Sequence, residues 1–380
     1  LTVFDEIRLY FGLAENDTSD AQIVTVYFLG MASGQIFYGP VTDRFGRKPV
    51  LYVGLAVYAL GARGAALAPT LPLILLSRFV WGIGAAGGRL VATAVIRDVY
   101  EGEEMARAMS FIMAVFITVP ILAPSLGAAI AALGPWQIVF WFSAAYGIAV
   151  AAWSLRLDET LAVADRRPLQ IQPVVAAIRQ VVTTPQSIGY ALAMTFLFGA
   201  FSSYLASSEL IVGEIYDRQS LFPFIFGGAA AVLGSAMLAN ARLVGRLGVN
   251  RTVHLAITGY TTLAVGLLTI TLLTDGKPPF WLAIVGITMV LVMHAAMIPN
   301  VNTIALEPLG HIAGMASAVI GTISLAGGAV LGTLIDRIIT GTINPLVIGF
   351  VVYGFAADGF VTWAERSAAR PAPHEPATAG

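Results

Sequence analysis

From Ala108 to Leu155 the chain carries no charged side chain. A helix that crosses a bilayer takes about 17–25 residues, so this block is too long for one span. It is also too apolar to lie on the surface of a soluble protein. Gly134-Pro135 supplies a turn that divides it into spans at 106–130 and 134–155. The same pattern of apolar blocks and short charged loops recurs at 21–41, 50–69, 72–96, 186–208, 219–240, 252–274, 279–302, 312–335 and 342–363. Composition agrees: of 380 residues 57% are hydrophobic and 11% charged, where soluble domains run at about 45–50% and roughly 25%. A soluble enzyme, a nucleic-acid binder and a disordered protein are excluded. The expectation is an all-α polytopic membrane protein whose first partner is the lipid bilayer.

Lys and Arg in short loops mark the cytoplasmic side. Segment 43–48 holds Arg44, Arg47 and Lys48; 156–185 holds Arg156, Arg166, Arg167 and Arg179; 241–251 holds Arg242, Arg246 and Arg251; the tail holds Arg366 and Arg370. The alternate loops differ: 129–137 has no cation, and 209–218 sets Glu209, Glu214 and Asp217 against Arg218. Alternating spans place all the basic loops, and the C-terminus, in the cytoplasm. Residues 1–20 then start outside, which suits Leu1 to about Leu9 as the outer stub of a first helix whose body is absent from this sequence. With that helix restored, the connector 156–185 divides the spans six and six. The expected organisation is a helical bundle at 1–155, a cytoplasmic linker at 156–185, a second bundle at 186–364 and a disordered Ala/Pro-rich tail at 365–380. A three-residue echo, Arg44-Phe-Gly46 and Arg246-Leu-Gly248, fits a parallel repeat about an axis along the membrane normal.

The densest local signal is Gly39-Pro-Val-Thr-Asp43-Arg44-Phe-Gly46-Arg47-Lys48-Pro49, between two adjacent spans. Gly46 lets the chain turn with positive φ, and Pro49 suits the first turn of the next helix. Topology alone accounts for Arg47 and Lys48. It does not account for Asp43, an anion in a loop that wants cations, which can cap a helix N-terminus or pair with an arginine across a helix interface. Such a cluster can latch two bundles together.

Residues 27–49 resemble the second span and signature loop of the major facilitator superfamily, in the variant of the Bcr/CflA-type drug/proton antiporters. The resemblance continues through Arg78-Phe79 with Gly82 and Gly84, Ala94-Val-Ile-Arg97-Asp98-Val-Tyr100, Pro120-Ile-Leu-Ala-Pro124-Ser-Leu-Gly127, Phe140-Trp141-Phe142 and Glu159-Thr160-Leu161, and more thinly through Ala313-Gly314-Met-Ala-Ser317-Ala318. It implies two six-helix bundles and multidrug efflux by proton antiport across a bacterial-type inner membrane, conferring antibiotic resistance, by a monomer. Asp43, Arg44, Gly46 and Arg47 would form the cytoplasmic gate, with Asp98 as an ionic partner of an arginine there. Arg78 would be the fourth-span arginine tied to proton coupling; its residue-level alternative is snorkelling from a position about six residues past Pro72. Pro120, Pro124 and Gly127 resemble the antiporter motif of the fifth span, although Ala123 and Ala128 stand where the family often has glycine.

Two further departures bear on function. Arg89 sits four residues before Thr93, the place of the family's usual second arginine, and positions i and i+4 share a helix face. Trp81 stands where the family tends to have glutamine and is expected to add an aromatic surface. The family's first-span aspartate falls near Leu1, leaving Asp5 and Glu6 as nearby acids that serve either proton coupling or an exposed outer loop. Among other polar residues, His294 reads as hydrogen-bonded structure, Glu209 as a solvated outer helix end and Asp358 as peripheral. The aromatic residues Tyr27, Phe28, Phe37, Tyr38, Phe196, Phe198, Phe201 and Tyr204 have a spacing that fits packing or stacking on flat drugs. With no cysteine and scattered histidines (His254, His294, His311, His374), no metal, cofactor or enzyme active site is expected. The net charge of −1 offers nothing to nucleic acid. The expected function is export of small amphipathic compounds in exchange for protons; the alternative is a carrier or importer of a single metabolite.

Overall fold

The structure, a computed structural model, describes residues 3–12 and 21–368. Its helices are α1 (Phe4–Phe11), α2 (Ala21–Phe45), α3 (Arg47–Ala66), α4 (Leu71–Val99), α5 (Gly102–Ala131), α6 (Gln137–Trp153), α7 (Ile171–Thr183), α8 (Pro185–Leu210), α9 (Phe222–Leu247), α10 (Val249–Leu273), α11 (Phe280–Leu306), α12 (Ala313–Asp336) and α13 (Asn344–Ala368). Each expected span coincides with one helix, α2–α6 and α8–α13. Among the described residues eight stretches are long and apolar enough to cross a bilayer, and the longest, Phe280–Asp336, holds both α11 and α12. In lipid every backbone N–H and C=O must find its partner within the segment, which leaves the helix as the only solution for such blocks.

Two elements lie outside the expected spans. α1 contributes Ile7 to a buried cluster with Ile23 of α2, Ala62 and Ala65 of α3 and Trp136, and it ends on Gly12 in the left-handed conformation. α7 forms inside the expected linker. The tail expected from residue 365 begins later, because α13 continues to Ala368: Glu365 accepts a hydrogen bond from Tyr190 at 3.0 Å and meets His254 Nε2 at 3.0 Å, which anchors the last turn.

Residues of α7, α8 and α10–α13 share one buried core. Residues of α1–α4 and α6, with Trp136, share another. Within this second group α4 is wedged between α2 and α3 at backbone distance. A Cβ on Gly30 would overlap the Phe79 carbonyl, one on Gly82 the Tyr27 carbonyl, and one on Gly61 the Trp81 backbone. Small residues at such positions are what lets helices approach in a membrane.

The three-residue echo has a structural counterpart. Gly46 joins α2 to α3 with φ 98° and ψ 162°, and Gly248 joins α9 to α10 with φ 81° and ψ 162°. Each donates its N–H four residues back, to Thr42 and Val244. Both turns lie at the end of the bundle that carries the basic loops, called here the basic end.

Contacts between the two groups run from the opposite end to the middle of the bundle. Arg8 of α1 pairs with Glu214 at 2.6 Å, Thr25 of α2 hydrogen-bonds Thr333 of α12 at 2.8 Å, and Thr322 of α12 donates to the Ala32 carbonyl at 3.0 Å. The Ile121 carbonyl of α5, between Pro120 and Pro124, lies 2.9 Å from where a Cβ on Gly227 of α9 would sit. The fifth-span motif therefore lies on the seam between the groups. The side chains of Pro120 and Pro124 are outside the described residues; Gly127 is half-buried in α5.

Gly61→Leu forces α3 away from α4 and is expected to destabilise the protein by about 1–3 kcal/mol, the usual range for overpacking. Thermal unfolding of the detergent-solubilised protein measures this, and an unchanged melting curve would contradict the packing.

Candidate functional site

The first site forms where α2 and α4 end, α3 begins and the chain leaves α6. Arg47, buried at the start of α3, donates from Nη1 to Asp43 Oδ1 at 2.6 Å and to Thr42 Oγ1 at 3.0 Å, and from Nε to Asp98 Oδ2 at 2.9 Å. Thr160 also donates to Asp98 Oδ2, at 3.0 Å. Glu159 caps α3, its carboxylate accepting the backbone N–H of Arg47 at 2.8 Å and of Lys48 at 3.2 Å, and that of Leu161 at 3.0 Å. Burial alone would raise the Glu159 pKa, but these N–H donors and the Arg166 guanidinium outweigh it and hold the carboxyl below the usual glutamate value. Gly46 is required twice over, by its positive φ and because a Cβ there would overlap the Glu159 carboxylate.

Asp43, Arg47 and Asp98 are thus brought together as the sequence suggests. Arg44 is exposed. Helix capping falls to Glu159 rather than Asp43. Among the described residues the partners of Arg47 all come from α2, α4 and the segment after α6, so the cluster ties one group of helices to the connector. The Gly248 turn has the same backbone with Gly245 and Val249 at the positions of Asp43 and Arg47. The turn therefore does not need the ions.

The second site is intramembrane. The Arg78 guanidinium lies over two rings, 4.6 Å from the Tyr27 centroid and 4.7 Å from that of Trp81, and Nε donates to the Ile23 carbonyl at 3.2 Å. Among the described residues it has no carboxylate partner. The side chain is held by the Tyr27 ring and the Ile23 carbonyl of α2 and by Trp81 one turn on in its own helix. Trp81 does not present the expected aromatic surface: it is buried edge-to-face among Tyr27, Tyr58 and Phe140 because Gly61 lets α3 close over it. Arg89 is exposed on the same face of α4 but eleven residues on, about 16 Å along the axis at 1.5 Å per residue. The structure does not bring the two arginines together. The side chain of Asp5 is outside the described residues.

Tyr27 begins a run of rings that crosses the seam. It meets Phe28 at 5.9 Å; Phe28 meets Phe198 of α8 edge-to-face at 5.2 Å; Phe198 meets Phe201 at 6.2 Å; and Phe201 stacks on His294 of α11 at 5.1 Å and 15°. Sequence spacing did not separate these rings from ordinary packing residues. Phe37 points outward, Tyr38 is buried against Gly87, and Phe196 packs on Tyr353 and Phe360.

Two polar residues differ from their sequence reading, and a third drew none. His294 is buried, yet neither ring nitrogen has a hydrogen-bond partner among the described residues. Asn300, two turns on, takes the polar contact instead, donating to Asn240 of α9 at 2.9 Å. Glu209 is buried rather than solvated, accepting from Gln219 at 2.9 Å, because Gln219 folds back over Gly213. Asp336, one residue beyond the expected span, is buried in α12 and accepts from Ser203 of α8 at 2.5 Å. Its position at an apparent loop edge concealed it.

A sequence model of the Major Facilitator Superfamily matches residues 2–333. The chain belongs to the major facilitator superfamily. It is a multi-pass membrane transporter by that membership. An uncharacterized MFS-type transporter, YdgK of Bacillus subtilis, is 27% identical over 335 residues, 85% of this chain and 82% of that protein. A bicyclomycin resistance protein homolog of Haemophilus influenzae is 27% identical over 336 residues, 87% of this chain and 84% of that protein. The multidrug resistance protein MdtL of Escherichia coli O157:H7 is 29% identical over 328 residues, 83% of this chain and 79% of that protein. Among solved structures, the partially occluded inward-open xylose transporter XylE of E. coli superposes with a TM-score of 0.73 at 14% identity, over 96% of this chain and 92% of that one. The human organic anion transporter MFSD10 gives 0.65 at 16%, over 95% and 88%. These two establish the superfamily's all-α fold.

The lowered pKa of Glu159 fixes the sign of its pH dependence. Its ionised form stabilises the fold fully above the unfolded value of about 4.3, and the contribution is lost as pH falls through the folded pKa. Glu159→Gln is therefore expected to be less stable than the parent above about pH 5, with the difference closing under more acid conditions. Unfolding curves of both proteins across that range measure it.

Proposed function

We propose that this transporter exports small amphipathic compounds in exchange for protons, by alternating access between residues 1–155 and 186–364. The observation that carries the reading is Arg78: a full charge inside a membrane helix, held by two rings and one carbonyl, with no carboxylate among the described residues. An arginine in that setting is costly and marks a functional site. Its free valence suits an anion that comes and goes, either a proton-carrying carboxylate or an acidic group on a substrate. The run of rings from Tyr27 to His294 supplies apolar faces from both groups of helices for a flat, poorly soluble molecule. The names of the relatives, bicyclomycin and multidrug resistance proteins, agree with export of such compounds.

In this reading the basic end faces the cytoplasm of a bacterial inner membrane, and the chain works as a monomer. The Arg47 cluster is the cytoplasmic gate, set where α2 and α4 end and α3 begins, while Arg8–Glu214 and Thr25–Thr333 close the other side. Lipid, proton and substrate are then the only partners required.

Purified protein in proteoliposomes is expected to drive substrate against its gradient when a pH difference is imposed. Arg78→Lys keeps the charge but loses the flat guanidinium that lies on Tyr27 and Trp81, and is expected to lose coupled transport while leaving folding intact. Flux indifferent to the pH gradient would sink the antiport reading and favour an uncoupled carrier of one metabolite. Coupled transport undiminished in Arg78→Lys would remove the guanidinium from the mechanism.

A further inference from the structure

We propose that the compounds this transporter binds are amphipathic organic anions, with Arg89 as the residue that meets their acidic group in the inner half of the membrane. The inference rests on the export reading and adds the substrate class to it. Arg89 lies ten residues before the end of α4 at Val99, about 15 Å from the basic end at 1.5 Å per residue. That is farther than an arginine stem reaches, so the charge is not carried to the headgroups. Nor does its exposed side chain face lipid. α4 is packed on α2 through Gly82 and on α3 through Gly84 and Trp81, and its outward face is marked by Leu73 and Leu76, 41% and 58% exposed. At about 100° per residue Arg89 stands roughly 140–160° round the helix from both, on the face it shares with Arg78. Gly88 beside it has open space where a Cβ would stand, and Ala85 and Ala92 are its neighbours one turn to either side. The guanidinium opens on the interior of the helical group.

Charge balance decides what fills that space. Between Ala21 and Ile96 the sequence has one carboxylate, Asp43, and Arg47 holds it. From Ala108 to Leu155 there is none. The expected spans of the second group contain a single acid, Asp358, on α13, which packs on α8 and α10. Arg78 and Arg89 thus stand inside the first group with no acid in its spans to answer them, and among the described residues neither has a carboxylate partner. Thr93, one turn on, bonds the Arg89 carbonyl at 3.0 Å rather than its guanidinium. A cation kept in a poorly hydrated place without a counterion draws an anion from outside. The run of rings that starts at Tyr27, beside Arg78, supplies apolar walls, so the anion that fits carries a flat apolar body. Entering from the basic end it meets Arg89 first and Arg78 about 16 Å deeper. A neutral or cationic compound gains nothing from either charge.

Three probes of one shape test this: 2-naphthoate, a flat organic anion, its neutral amide, and the cation 2-naphthylmethylammonium. Binding to the purified full chain in detergent is measured by equilibrium dialysis. The anion is expected to bind about tenfold or more tighter than the amide, the scale of one hydrogen bond to a charged group. Arg89→Gln is expected to bring the anion down to the level of the amide and to leave the amide where it was. Arg89→Lys is expected to keep most of the preference, because an exposed side chain in open space can serve as a point charge. Equal binding of anion and amide, no binding of the anion, or an equal loss for both in Arg89→Gln would overturn the proposal. Proteoliposomes separate it from the export reading. Naphthoate that is held through Arg89 but not driven by an imposed pH difference would sink that reading alone. Amide or ammonium driven against a gradient while naphthoate is not would overturn the choice of anions and leave export standing.

Discussion

Lipid tails are as apolar as leucine, so helices in a bilayer gain little by hiding side chains against one another. Association then depends on how closely backbones can approach. In this chain the decisive approach is that of α4, wedged between α2 and α3 through Gly30, Gly61, Gly82 and Gly84. Much else is a consequence of that wedge. It buries Trp81 among rings, carries Arg78 to the face of Tyr27, and brings Asp98 at the foot of α4 to Arg47 at the head of α3. A bulkier residue at any of these contacts would disturb the aromatic and the ionic site together, although the two lie at different depths.

The two arginines show opposite ways of keeping a cation in a poorly hydrated place. Arg47 is surrounded by acceptors, Asp43, Asp98 and Thr42, and its charge is spent locally in short charge-assisted hydrogen bonds. Arg78 has the negative faces of Tyr27 and Trp81 and one carbonyl, an arrangement that tolerates the charge without neutralising it. The first is a fastening. The second leaves a field in the membrane interior that another ionisable group can answer. The Gly248 turn, with the geometry of the Gly46 turn but neither its Asp43 nor its Arg47, separates what the backbone requires from what the first group of helices adds.

The fold was legible because its cause is linear. Runs of apolar residues long enough to cross a bilayer announce themselves, and all eleven expected spans coincide with helices. The grouping of Asp43, Arg47 and Asp98 was legible through resemblance rather than periodicity. What stayed hidden was partnership across distant segments. Glu159 reads as one more linker charge until the start of α3 is seen to rest on it. Phe28 and Phe198 have no sequence property that separates them from Phe37 or Phe196, since which rings meet depends on how the helices are rotated. Glu209 was misjudged and Asp336 passed over: at an apparent helix end, sequence does not tell a solvated carboxylate from one that another segment covers.

The segment 156–185 was expected to be a tether between two bundles, and its bonds divide it differently. Glu159 and Thr160 hold α3 and Asp98, and the Arg167 N–H reaches the Asp43 carbonyl at 3.0 Å. From Ala177 onward the side chains belong to the core of the other group. The true seam in the covalent chain is therefore the short stretch Pro168-Leu169-Gln170, which separates these two sets of attachments. A gene split there would yield two polypeptides that each keep their own fastenings. A split a dozen residues earlier would strip the first piece of the carboxylate on which α3 begins, and one a dozen later would leave α7 on the wrong piece.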